Sequence, residues 1–131
     1  MSKAAKAKHG FDAVYEKLKA IMQKYERGSL KASPYGSRPN SYCLTGPPSE
    51  FTRGKPAWFG GVVMGKAYVS YHLIAVYAFP GLLNGISPEL KKRMQGKSCF
   101  NFKEVDDKLF KELALLTEKS YKRFKEVKFF G

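Results

Sequence analysis

AWFGGVVM, residues 57–64, and AYVSYHLIAV, residues 67–76, stand on either side of Gly65 and Lys66. Both runs are rich in β-branched and aromatic residues, which suit a pleated, half-buried surface. A glycine and one polar residue between two such runs predict a two-residue type II′ turn, because glycine takes a positive φ at no steric cost. Strands joined by so short a connection must be antiparallel. The middle of the chain therefore reads as an antiparallel hairpin, and the rest has to be arranged around it. Gly60 and Gly61, inside the first run, predict a bulge or a close backbone approach. In the second run Tyr68, Ser70, His72 and Ile74 alternate onto one face.

Upstream, Phe11, Val14, Tyr15, Leu18, Ile21, Met22 and Tyr25 recur at helical spacing, and Gly28 offers a stop. SLKASPYGSRPNSY is rich in Ser, Pro and Gly and reads as loop, followed by a short strand over 41–45. Downstream, Pro80 breaks the hairpin's second strand. Ser87, Pro88 and Glu89 carry the N-cap, first-position and first-turn signals of a short helix. Lys91, Lys92 and Arg93 follow at its C-terminal end, where the helix dipole favours cations, and Gly96 closes it. Residues 97–102 alternate, with Phe100 and Phe102 as apolar anchors on one face and Lys97, Cys99 and Asn101 on the other. A last helix runs from an N-cap at Asp106 to about Glu126. Its apolar face holds Leu109, Leu113, Leu116, Phe124 and Val127. Lys108, Lys111, Lys119 and Lys122 lie opposite, with Leu115 among them.

The order is helix, hairpin strands, short helix, short strand, helix. It predicts a two-layer α+β fold, an antiparallel sheet with the N- and C-terminal helices packed on one face. Residues 1–8 read as a disordered basic tail and 9–131 as one domain. A hydrophobic content of 44% and an aromatic content of 15% supply a core and exclude a disordered chain. No apolar run is long enough to span a bilayer, and the basic N-terminus has no apolar stretch behind it. The expectation is a cytoplasmic protein. Cys43 and Cys99 fall in no CxxC or zinc-type spacing and read as reduced packing residues.

Charge is the strongest compositional feature: 24 Lys and Arg against 11 Asp and Glu, a formal net charge of +13. Such a field draws nucleic acid or an acidic protein. Lys91, Lys92 and Arg93, with Lys108, Lys111, Lys119 and Lys122, are the candidate surface for that partner. Catalytic signatures are missing: the chain has no GxSxG, HExxH or Walker loop. His72, Tyr68 and Trp58 are candidates for a pocket, and Trp58 beside Arg53 and Lys55 could stack on a base. Lys97 beside Cys99 would favour a thiolate. Asp12 and Glu16, four residues apart on the first helix, project together and could hold a hard cation.

GKAYVSYHLIAVY and ISPELKKRMQGKSCFNFKEVDDKLFKEL, with the strand pair over 58–76 and the final helix from Asp106, resemble the YdhG-like family. These are small bacterial domains of unknown function, also described as frataxin-like or iron-chaperone domains. The resemblance covers most of residues 11–126. It implies an α+β sandwich with terminal helices flanking an antiparallel sheet, and iron as cargo held by acidic residues of the first helix and the first strand. Asp12 and Glu16 are the positions onto which that role carries. Two expectations follow. One is a non-enzymatic domain with a frataxin-like iron-binding role. The other is a basic module for an anionic partner.

Overall fold

The computed structural model describes residues 11–28, 30–33, 40–50 and 52–128. The basic tail expected over 1–8 lies outside them. Helix α1 (Phe11–Gln23) leads into strands β1 (Lys31–Ser33), β2 (Ser41–Gly46), β3 (Ala57–Met64) and β4 (Val69–Leu73). Helix α2 (Ile74–Ala78) and a 3₁₀ turn (Pro80–Leu83) follow, then α3 (Pro88–Lys91), β5 (Met94–Gln95), β6 (Cys99–Phe102) and α4 (Asp107–Glu126). The six strands form one sheet in the order β1-β2-β3-β4-β6-β5, and every pairing is antiparallel.

Both long helices pack on one face of this sheet, giving the expected two layers. α1 turns Val14, Tyr15, Leu18 and Met22 inward. α4 turns in Leu109, Phe110, Leu113, Leu116 and Phe124. They meet Phe59, Val62, Val69, Tyr71, Leu73, Phe100 and Phe102 from the strands. Phe102 and Phe110 meet edge to face at 5.0 Å, and Phe59 and Phe124 at 6.0 Å. One buried polar link crosses the layers, a 2.7 Å hydrogen bond between the Tyr71 and Thr117 hydroxyls. The caps read from sequence are in place. Asp106 accepts from the Leu109 N–H at 3.1 Å, and the Ser87 hydroxyl accepts from the Leu90 N–H at 3.1 Å. A side-chain cap of this kind contributes about 1 kcal/mol.

The hairpin forms with two corrections. The Gly65 N–H donates to the Tyr68 carbonyl at 2.9 Å, so Lys66 and Ala67 make the turn and Gly65 belongs to the paired arm. None of the four residues has a positive φ, which rules out the type II′ geometry. Gly65 is small because the arms are close: a Cβ there would stand 3.2 Å from the Tyr68 carbonyl oxygen. The second strand also stops at Leu73. Ile74, expected to extend it, begins α2, which buries Ala75 and Val76. Burial against the helix layer overrides the β propensity of this stretch.

Gly60 and Gly61 fulfil both expectations for them. Leu44 pairs with Gly60 but Thr45 pairs with Trp58, so Phe59 is an extra residue in β3. Phe59 and Gly60 both lie toward the helices, and Trp58 is turned to the other face. A Cβ on Gly60 would sit 2.4 Å from the His72 carbonyl oxygen and 2.8 Å from Met22 Cε. The edge strands β1 and β5 fall in stretches without strand alternation. β1 is exposed at all three residues, and β5 is two residues long.

Candidate binding face of the sheet

The antiparallel register sets side chains in rows across the face turned away from the helices. One row runs Cys43, Gly61, His72, Cys99, Gln95 through β2, β3, β4, β6 and β5. The next runs Ser41, Val63, Ser70, Asn101. Alternate residues of the same strands, Tyr42, Val62, Tyr71 and Phe100, are in the core.

Polar contacts tie the middle of this face together. Asn101 Oδ1 accepts from the Ser70 hydroxyl at 2.8 Å and from the Cys99 thiol at 3.3 Å. Asn101 Nδ2 donates to Gln95 Oε1. The Cys99 Sγ and His72 Nε2 atoms are 4.0 Å apart. Trp58 leans on the other side of His72, with ring centroids at 5.8 Å and an interplanar angle of 35°. Burial pushes the His72 imidazole below its ordinary value and the Cys99 thiol above its own, with a contact to Ser70 opposing the latter. Both shifts favour the neutral forms near pH 7. A nucleophilic cysteine needs the reverse environment. The Lys97 ammonium, expected to promote a thiolate, lies over the Tyr77 ring at 5.9 Å.

Two adjoining concavities open on this face. One, of about 570 Å³, is lined by Lys66, Tyr68, Ser70, His72, Gln95, Cys99 and Asn101 among others. The second, of about 360 Å³, is lined by Tyr68, Lys92, Arg93, Met94, Gln95, Asn101 and Lys103. Tyr68, Gln95 and Asn101 line both, so the two adjoin and together make a groove that reaches from His72 to the basic turn across these three side chains.

Of the three pocket candidates, His72 and Tyr68 line a concavity, and Trp58 lines neither but leans on His72. Lys92 and Arg93 line the second concavity with Lys103, and Lys66 lines the first with His72; Lys66 and Lys103 are not among the cations singled out from the sequence. Lys91 is exposed on the same turn. Lys108, Lys111, Lys119 and Lys122 are exposed on the outer side of α4, in the opposite layer, and do not face the groove. Lys122 pairs with Glu118 at 3.6 Å. Lys66 and Lys103 carried no sequence signal because a turn lysine and a lysine after a strand are common. Only the fold brings Lys103 to the concavity that Arg93 lines and Lys66 to the one that His72 lines.

On α1, Asp12 is half-buried and Glu16 exposed. Among the described residues no three or more His, Cys, Asp or Glu side chains converge to hold a metal ion. Cys43 and Cys99 are free. They stand in the same row three strand spacings apart, about 14 Å at ~4.8 Å per strand, beyond disulfide reach. A separate, more apolar hollow of about 600 Å³ lies at the end of α2, lined by Val76, Tyr77, Pro80, Leu83, Met94, Gly96 and Lys97. Among the described residues no helix is long and apolar enough to cross a membrane. Comparison with protein-family models, curated proteins and solved structures returns no match.

Proposed function

We propose that this chain is a binding module that takes an anionic partner on the helix-free face of its sheet. The observation that carries this reading is the pair of adjoining concavities, one lined by Lys92, Arg93 and Lys103, the other by Lys66, with the hydrogen-bonding side chains of Gln95 and Asn101 shared between them. The net charge of +13 supports it by raising the local concentration of any polyanion. The iron reading suggested by the YdhG-like resemblance draws on Asp12 and Glu16 alone, and the groove gives the stronger case.

The test compares charge reversals in the two layers. Lys92→Glu/Arg93→Glu should weaken binding of a polyanion about ten-fold or more, on the order of 1.4 kcal/mol. Lys119→Glu/Lys122→Glu changes net charge equally and should cost markedly less. Amide shifts in an NMR titration should concentrate at Lys66, Tyr68, Arg93 and Asn101. Equal losses from both pairs, with shifts spread over α4, would show diffuse attraction and overturn the site.

A further inference from the structure

Three kinds of surface meet on this face. Cations stand at one end of the groove, at Lys92, Arg93 and Lys103. Asn101 and Gln95 present amides in the middle. Ring surfaces complete it: Tyr68 lines both concavities, and Trp58 leans over His72 at 5.8 Å. Tyr68, His72 and Trp58 are each only partly buried, so each ring keeps surface toward solvent.

The mixture discriminates among anionic partners. An acidic protein segment would be satisfied by the cations, and its carboxylates make no use of ring faces set among them. A duplex stacks its bases inside and offers its phosphates on a broad convex rod. A single strand carries a phosphate and a free planar ring on every unit, and stacking on aromatic side chains beside a cationic track is how such strands are held. Amide groups can meet exposed base edges as donors and acceptors. We propose that the partner is single-stranded nucleic acid, with bases stacked on Tyr68 and Trp58 and phosphates on Lys66, Lys92, Arg93 and Lys103. This rests on the anionic-partner reading above and narrows it to one chemistry.

Trp58 is the only tryptophan in the chain, so intrinsic emission reports on the stacking position directly. The experiment titrates the full chain with oligothymidylate, with a DNA duplex and with polyglutamate, at fixed moderate salt. Oligothymidylate should bind most tightly, quench Trp58 and lose affinity steeply as salt rises. Tyr68→Ala keeps the charge and should lower oligothymidylate affinity roughly ten-fold with an unchanged salt slope. Tyr68→Leu, which retains apolar bulk at the hairpin, should show the same loss and guards against misfolding. Binding of polyglutamate or duplex as tightly as the single strand, indifferent to Tyr68, would overturn this inference and leave the anionic-partner reading standing. No saturable binding of any polyanion would overturn both.

Discussion

Gly60 sits where two backbones and a helix side chain converge, and the first prediction concerns it. Gly60→Ala would drive a methyl group against the His72 carbonyl, 2.4 Å away, and Met22 Cε, 2.8 Å away. The carbonyl belongs to a paired strand and cannot yield, so stability should fall by about 1–3 kcal/mol, the usual cost of overpacking, in urea denaturation. His72 makes a pH prediction. Burial depresses its folded pKa below the ordinary 6.5. Its contribution to stability is thus fully present above pH 6.5. As pH falls below 6.5 the unfolded chain takes up the proton first, and stability drains until the folded value has been passed. Trp58 from β3 and Cys99 from β6 are among the groups facing the ring. His72→Gln should flatten the corresponding part of the melting-temperature profile. Cys99, held protonated by burial, should react with an aromatic disulfide reagent more slowly at pH 7 than a free model thiol. A faster reaction would contradict the described environment.

Among the elements, β4 and α4 are joined by the Tyr71–Thr117 hydrogen bond, and its direction can be tested. The Thr117 hydroxyl already donates to the Leu113 carbonyl at 2.7 Å, so the Tyr71 hydroxyl is the donor to Thr117. Thr117→Val would leave that phenol buried without an acceptor and should cost about 1–3 kcal/mol. Tyr71→Phe removes the donor and leaves Thr117 bonded to Leu113, so it should cost less, about 0.5–1.5 kcal/mol. Chemical denaturation of the two variants would show the order. Elements with a period or a cap were legible in the sequence. α1, α4, the hairpin and β6 declare their inner faces by spacing, and Ser87 and Asp106 declare two helix starts. β1 and β5 could not be read, because edge strands of two or three residues are too short to show an alternation. The end of β4 was misplaced for a different reason. Ile74 and Val76 have strand propensity, but only the packing of α2 on the core decides their conformation. The groove was half legible. The sequence named His72, Tyr68 and Trp58 and the basic turn separately, but their junction depends on β6 pairing with β4 after a long excursion through α2 and α3.

At the scale of the whole molecule, charge works against compactness. Three ion pairs, all with exposed partners, are formed among the described residues, while the chain carries a net +13. Exposed pairs of this kind contribute little, and the excess cations repel one another. Raising sodium chloride from about 0.02 M to about 0.3 M, where screening shortens below ~10 Å, should raise the melting temperature by a few degrees. An unchanged or lower melting temperature would mean that the surface charges are already balanced locally. The two layers also divide the labour, with one face of the sheet spent on the helices and the other free to carry the groove. The side on which the indole lies is settled by a count. Gly60, Val62 and Met64 occupy even-numbered positions on the helix side, and strict alternation would send Trp58 there too. The extra residue at Phe59 reverses the parity and delivers Trp58 to the groove side. Deleting Phe59 would close the bulge and set Trp58 directly before Gly60, so the indole would keep its side, whereas straightening β3 at constant length would turn it into the core. In descendants of this chain, the two-against-one count at Phe59, and not the length of β3 alone, would therefore decide whether the indole faces the groove.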